Sequence, residues 1–379
     1  MIKDVIKGFE ENRITIAVFL DLTKAFDCVD HKILLKKLKH YGIKGVAIKW
    51  FTDYLENRKQ YVYFKGIKSK EKVMDIGVPQ GSILGPILFL IYINDFCEVV
   101  QSGNQIIFAD DANYYLTGSN FRQTLDEVNS NMKLILRWFR ANKLSINLIK
   151  SEAMLFTRRN LYFPLSPVTL DDKPIPYNFN FKFLGLLLDF RLNWIPHIKR
   201  VQSKISSACG VLHQIRNKLT RSVARIIYMA LAYPYLNYCN TLWASSANSH
   251  IDSLFKTQKK IIRKIMKKRR TEPSTPLFKK LNLLKLTDVN NLNAGIFVFK
   301  SLNNLIPSPI NFESRIIGPY NLRTEQPLVI PFSRSNQYQR FIEIRGAKLW
   351  NDLPADIRSS RTIFTFKRKL KAHYLNTYS

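Results

Sequence analysis

The sequence predicts a layered fold of the α/β or α+β class, and three observations carry that prediction. Residues 14–20, ITIAVFL, are rich in β-branched and aromatic side chains and carry no charge, the pattern of a strand buried on both faces. Phe121, Leu125, Val128, Met132, Ile135 and Phe139 are spaced 4, 3, 4, 3 and 4 residues apart, which lays one apolar stripe along a helix. Between them a hairpin pattern interrupts helical segments, so strands and helices interleave along one stretch of chain.

The remaining elements follow in order. Strand 14–20 runs into Asp21. His31 to His40 reads as a helix closed by Gly42, and a second helix puts Ile48, Phe51, Tyr54 and Leu55 on one face. Residues 60–65 and 72–76 alternate as a hairpin around Gly66. Residues 82–96 read as a helix with Pro86 in its first turn, where a missing N–H is tolerated. Residues 105–109 and 112–116 read as short strands around Asp110-Asp111, and 154–156 as another. Residues 159–180 hold four prolines and read as a linker or a surface hairpin; 181–188, FKFLGLLL, read as a further strand. After Trp194 the pattern turns helical over 196–270, breaks at TEPSTP (271–276), and resumes to about Leu302. A Pro-, Asn- and Ser-rich stretch then leads to 346–374.

The 379 residues are enough for two or three domains whose cores need no disulfides. Against 28 Asp+Glu stand 59 Lys+Arg, a net charge of +31, in a chain that is 46% hydrophobic. That is a folding composition, not a disordered polycation. Such a charge implies a polyanion partner, because self-repulsion would otherwise only destabilise the compact state. Four cysteines exclude a disulfide scaffold and predict a reducing, intracellular compartment, cytoplasm or nucleus. Cys28-x-x-His31 and Cys209-x-x-x-His213 each offer two metal ligands, but zinc needs four. They read as ordinary thiols beside surface histidines. The longest apolar run, 83–93, contains Gly85 and Pro86 and falls short of the ~20 residues of a membrane span, so no membrane partner is expected.

Three acids interrupt the most apolar segments of this basic chain: Asp21 after VFL, and Asp110-Asp111 after IIFA. A buried carboxylate costs several kcal/mol unless paired or bound to metal. Lysines could pair them; alternatively Mg²⁺, which binds through one or two carboxylates plus substrate phosphates, could hold them. A turn-forming Asp-Asp is the plain competing reading.

VFLDLTKAFDCVDH (18–31), GVPQGSILGPILFLIYINDF (77–96), FADD (108–111), INLIKSEAMLF (146–156) and FLGLLLD (183–189) resemble, in order, motifs A to E of reverse transcriptases. The wording resembles non-LTR retrotransposons of the jockey type. RTEQP (323–327), GAKLWNDLP (346–354) and FTFKRKLKAHYL (364–375) are similar to the C-terminal tail of those polyproteins, so the resemblance covers nearly the whole chain.

The resemblance implies an α+β fold: a polymerase palm, an antiparallel sheet with packed helices, with partial fingers over 1–192, a helical thumb over 193–302 and a C-terminal region over 303–379. It implies RNA-directed DNA polymerisation, with an RNA template, a DNA primer, dNTPs and two Mg²⁺ ions, Mn²⁺ being an alternative. Asp21, Asp110 and Asp111 match the metal-binding aspartates, with the backbone carbonyl of Leu22 beside them. Phe26 matches the steric gate that excludes a 2′-hydroxyl. Gln80 and Gly81 match the motif that contacts the incoming nucleotide. Lys150 matches the lysine that donates a proton to pyrophosphate. Phe183, Leu184 and Gly185 match the primer grip. In the thumb, Lys259, Lys260, Arg263, Lys264 and Lys267 are expected on duplex phosphates.

Departures shape the expectation. Relatives carry fingers with triphosphate-binding cations upstream of motif A, and an endonuclease, whereas Asp21 lies about twenty residues from the start of this sequence. Asn113 stands where relatives often have Thr. The expectation is a truncated portion of such a polyprotein. The alternative is a catalytically inactive remnant that only binds nucleic acid.

Overall fold

The computed structural model describes residues 1–160, 165–314 and 328–378. The chain divides into two compact units, Met1–Phe179 and Asn180–Ser379.

The first unit opens with α1 (Ile2–Glu10), an addition to the expected elements. Its buried Val5, Ile6 and Phe9 recur at helical spacing. There follow β1 (Ile14–Asp21), α2 (His31–His40) and α3 (Gly45–Leu55). Four two-residue strands, β2 (Lys59–Gln60), β3 (Tyr63–Phe64), β4 (Ile67–Lys68) and β5 (Lys72–Val73), make one long hairpin, β2 pairing with β5 and β3 with β4. Then come α4 (Leu84–Ile93), β6 (Asn104–Phe108), β7 (Asp111–Gly118), α5 (Phe121–Ala141), β8 (Glu152–Phe156), β9 (Val168–Leu170) and β10 (Lys173–Ile175).

One antiparallel sheet runs β6-β7-β1-β8. The charge-free strand takes an interior place and buries seven of its eight residues. Its register against β7 runs from Ile14 opposite Gly118 to Asp21 opposite Asp111. The stripe of α5 is buried at Leu125, Val128, Met132, Ile135 and Phe139 as the spacing predicts, and the helix packs on β7, β1 and β9. Burying each such side chain is worth about 1.5–3 kcal/mol, so the stripe orients the helix on the sheet. Where it is described, the proline-rich segment is the hairpin of the two expectations, its turn at Asp171-Asp172 exposed but its apolar side in the core. β9 and β10 pair, and Val168, Leu170 and Ile175 are buried against the core. Those three apolar residues outweigh the prolines.

In the second unit, the segment expected as one strand over 181–188 is a hairpin, β11 (Asn180–Phe183) paired with β12 (Leu186–Asp189). Leu184 and Gly185 have φ of +45° and +83°, the two left-handed residues of a tight hairpin turn. Beyond it lie α6 (Ile195–Ile215), α7 (Arg221–Leu231), α8 (Tyr233–Asn237), α9 (Asn240–Trp243), α10 (Asn248–Ile265), α11 (Thr275–Lys280), α12 (Leu286–Leu302), α13 (Asn336–Arg340), α14 (Ile342–Asp352), α15 (Ala355–Arg358) and α16 (Ile363–Asn376). The buried Asp189 carboxylate links hairpin to helix, accepting from the N–H groups of Arg191, Asn193 and Trp194. α12 packs against α8, α9, α10, α14 and α16. Fully buried Gln258 donates to Tyr228 Oη and the Leu284 carbonyl and accepts from the Leu286 N–H, joining α7, α10 and α12 with no polar group left wanting. Among the described residues no helix is long and apolar enough to cross a membrane.

Candidate active site

Asp21 closes β1 and lies directly opposite Asp111, the first residue of β7. Phe108 pairs with the same Asp111, so Ala109 and Asp110 form the hairpin turn between β6 and β7. Ala109 takes φ of +53°, a conformation that costs a non-glycine residue of order 1 kcal/mol or more. Three carboxylates therefore meet at one edge of the sheet. They are not buried, as the apolar flanks led us to expect: Asp21 is half-buried and Asp110 and Asp111 are exposed, because the turn projects past the strands. The Asp111 carboxyl is nevertheless pushed above its ordinary value, first by partial burial, then by the charges of Asp110 and Asp21. Among the described residues no lysine or arginine forms an ion pair with any of the three. Nor, among those residues, does any group of three His, Cys, Asp or Glu side chains stand ready-made around a metal position. A Mg²⁺ site needs only one or two carboxylates when phosphates and water supply the rest, so the donor set is compatible with one.

The backbone beside Asp21 is held by the loop before β8. Asn147 N–H donates to the Asp21 carbonyl (2.8 Å), Thr23 N–H to the Ser145 carbonyl (2.8 Å), and Asp21 N–H to Ser151 Oγ (3.3 Å). Leu22 and Ile146 form the bridge between these bonds. In such a pair the hydrogen-bonding groups of the bridged residue face the other way. The Leu22 carbonyl is therefore turned toward the side of the sheet that carries β7 and the Asp110 turn. Lys150 is exposed on the same loop, its N–H donating to Asn147.

A cleft of about 420 Å³ lies beside the carboxylates, lined by Leu22, Lys24, Ala25, Phe26, Pro79, Gln80, Gly81, Pro86 and Asp110. That is within the range of small-molecule sites. One face of Phe26 packs on Phe89, ring centroids 4.6 Å apart, and the half-exposed ring lines the cleft. Residues 76–78 run alongside 26–30: Gly77 N–H donates to the Val29 carbonyl and Val78 N–H to the Phe26 carbonyl. Gly77 has φ of +89°, and a Cβ there would sit 2.9 Å from the Asp27 carbonyl oxygen, so only glycine fits. His31, expected at the surface, is buried and shares a 2.7 Å hydrogen bond with the Gly77 carbonyl through Nε2. Gln80 Nε2 donates to Asp27 Oδ1 at 2.8 Å, while Gly81 is open to the cleft.

Asn147, Ser151, Asp27, His31 and Gly77 thus position the site, and sequence reasoning missed them. Their bonds join segments tens of residues apart, which no local pattern encodes.

The other expected residues lie in the second unit. Phe183, Leu184 and Gly185 form the end of the β11–β12 hairpin, and Tyr238 Oη donates to the Leu184 carbonyl at 2.6 Å. On α10 and just beyond, Lys260 and Lys267 are exposed; Lys259 lies 4.2 Å from the Phe255 ring centre. Arg263 Nε donates to the Glu272 carbonyl and Lys264 Nζ to the Cys209 carbonyl, so these two cations are partly engaged. GAKLWNDLP falls on α14 and the turn after it, FTFKRKLKAHYL on α16. RTEQP (323–327) lies outside the described residues.

Residues 3–188 match the reverse transcriptase (RNA-dependent DNA polymerase) family. The chain is similar to polymerases of mobile elements. It is 28% identical over 337 residues to the probable RNA-directed DNA polymerase from transposon X-element of Drosophila melanogaster, covering 86% of this chain and 36% of that protein. It is 27% identical over 270 residues to the RNA-directed DNA polymerase from mobile element jockey of the same species, covering 69% of this chain and 29% of that protein. The chain thus spans about a third of the length of these curated relatives. Among solved structures, apo telomerase from Candida tropicalis aligns over 81% of this chain and 54% of that chain, at 12% identity and a TM-score of 0.41.

Proposed function

We propose that this chain contributes the catalytic part of an RNA-directed DNA polymerase of a non-LTR mobile element, with residues 1–192 as palm and partial fingers, 193–302 as helical thumb and 303–379 as a C-terminal region. One observation carries the reading: Asp21 stands opposite Asp111, with Asp110 in the adjoining turn, beside a cleft lined by Phe26, Gln80 and Gly81. Like charges placed directly across a sheet are destabilising, so this edge is built for a counter-ion that no cation among the described residues provides. Two bound Mg²⁺ ions, or Mn²⁺, would activate the primer 3′-hydroxyl and neutralise the leaving pyrophosphate.

The chain's own residues do the rest. Asp21, Asp110, Asp111 and the Leu22 carbonyl would hold the ions. Phe26, backed by Phe89, leaves no room beneath the sugar for a 2′-hydroxyl. Gln80, steadied by Asp27, and the open backbone at Gly81 meet the incoming nucleotide. Lys150 delivers a proton to the pyrophosphate. The turn 183–185 holds the primer end, and Lys259, Lys260, Arg263, Lys264 and Lys267 meet phosphates of the template–primer duplex.

The test is extension of a DNA primer on an RNA template by the parent and by Asp110→Asn. Losing one carboxylate from such a site costs several kcal/mol, so extension should fall on the order of a thousandfold. Equal extension by the two proteins would refute the carboxylate assignment.

A further inference from the structure

The hairpin built from β2 to β5 exposes every one of its strand residues. Tyr61, Val62, Tyr63, Phe64 and Ile67 range from 51% to 75% exposed, so the hairpin offers its large apolar side chains to solvent. A two-stranded hairpin that buries nothing is marginal in water, and an exposed apolar patch of this kind marks a surface for binding.

Charge narrows the class of partner. Over 58–72 the hairpin carries Arg58 and five lysines against a single acid, Glu71, which is itself paired with Lys68 at 2.9 Å. The cations are interleaved with the rings. Lys68 Nζ lies 3.9 Å from the Tyr61 ring centre and Lys65 Nζ 5.5 Å from that of Phe64. Across the hairpin Lys68 pairs with Tyr63 and Ile67 with Phe64, and the two pairs face opposite sides. A membrane-surface element needs one apolar and one polar face. In this hairpin cations instead lie against the rings, Lys68 on Tyr61 and Lys65 on Phe64, which suits an anion with flat apolar groups along it.

We propose that the 57–74 hairpin is a docking surface for single-stranded nucleic acid, with Tyr61, Tyr63 and Phe64 stacking unpaired bases and the lysines holding the flanking phosphates. The rings favour a single strand over a duplex, because only unpaired bases offer a free face. The inference rests on the nucleic-acid reading above but not on the carboxylate chemistry.

The test uses fluorescence anisotropy with the full chain, without nucleotide or divalent ion. The probes are labelled oligouridine, oligothymidine, an abasic strand of equal length and a duplex. Tyr61→Ala, Tyr63→Ala and Phe64→Ala together should weaken binding of a base-bearing strand roughly tenfold or more, since stacking contributes about 1–3 kcal/mol per base. Abasic and duplex binding should stay within about twofold of the parent on the same basis. Tyr61→Phe with Tyr63→Phe should bind as the parent does. Replacing Lys59, Lys70 and Lys72 by Ala should instead lower the slope of log K against log salt by roughly 2, at about 0.7 per single-strand phosphate. The larger loss on uridine or on thymidine identifies an RNA or a DNA strand as occupant. Equal losses on strand and duplex, no loss in the ring variant, or a ring-dependent affinity seen only with anionic lipid vesicles would overturn the proposal. Because no chemistry is measured, failure here leaves the carboxylate reading standing, and the converse holds too.

Discussion

Replacing Asp111 by Asn should stabilise the metal-free protein and weaken its response to divalent ions. Asp111 and Asp21 are direct partners across β1 and β7, which puts their Cβ atoms about 4.5–5.5 Å apart. Two unit charges at about 5 Å in a water-like medium repel by roughly 0.8 kcal/mol. Both side chains reach solvent, so the high dielectric applies, and directly opposed like charges typically cost about 0.2–1 kcal/mol. Asp110 in the adjoining turn adds to the repulsion, as the raised Asp111 carboxyl reflects. For a unit of this size a gain of about 0.5–1 kcal/mol moves Tm up by roughly 1–4 °C. Magnesium should reverse the ranking. An ion at about a hundred times its Kd stabilises the folded state by about 2.7 kcal/mol, and the variant, left with Asp21 and Asp110, should bind more weakly and gain less. The assay is thermal melting of both proteins with and without Mg²⁺, at matched ionic strength. A parent Tm that ignores Mg²⁺ and Mn²⁺, or a variant that melts lower without metal, would refute the reasoning.

Two further outcomes follow from named contacts. Phe26→Val should admit ribonucleotides in the primer-extension assay, because the smaller side chain opens space under the sugar; unchanged discrimination between dNTP and rNTP would reduce Phe26 to packing on Phe89. Asp30 caps α2 through Ile33 N–H and pairs with Lys143 at 2.5 Å; burial alone would raise its carboxyl, but these partners hold it below its ordinary 3.8. A depressed carboxyl contributes stability that is full above its unfolded value and fades as pH falls through the folded one. Asp30→Asn should therefore cost less than about 1 kcal/mol near neutrality, since Lys143 is largely exposed, and urea titrations of parent and variant should converge in acid.

Much of the first unit was legible because its elements obey local rules. The run ITIAVFL allows no solvent-facing residue, and it lies inside the sheet. The α5 stripe has one periodicity and one buried face. The order of motifs led to the carboxylates, the cleft aromatic and Gln80. What stayed illegible is set by distance or by shape. Only Gly185 hints at a turn inside FKFLGLLL, and Leu184 hides it, since a leucine rarely takes a left-handed conformation. The bonds from Ser151 to Asp21 and from His31 to Gly77 depend on which strands become neighbours. The apolar flanks of Asp110 and Asp111 suggested burial, yet a hairpin turn carries its residues beyond the core its strands build.

The pairing of β1 with β7 also ties chemistry to the order of folding. The two strands are separated by about half of the first unit, so their ladder closes a long loop, and such contacts form slowly. During synthesis β1 leaves the ribosome before its partners and must wait, apolar and unpaired, for β7 and then β8. A slip of one residue would set Leu20 or Leu22 across from Asp111 and send the Asp21 side chain to the opposite face. The same slip would also turn the strand's side chains that face α5 away from it, so the helix that stabilises the sheet rejects the misaligned form. Proofreading of the ladder by α5 makes the meeting of the carboxylates an all-or-none product of folding.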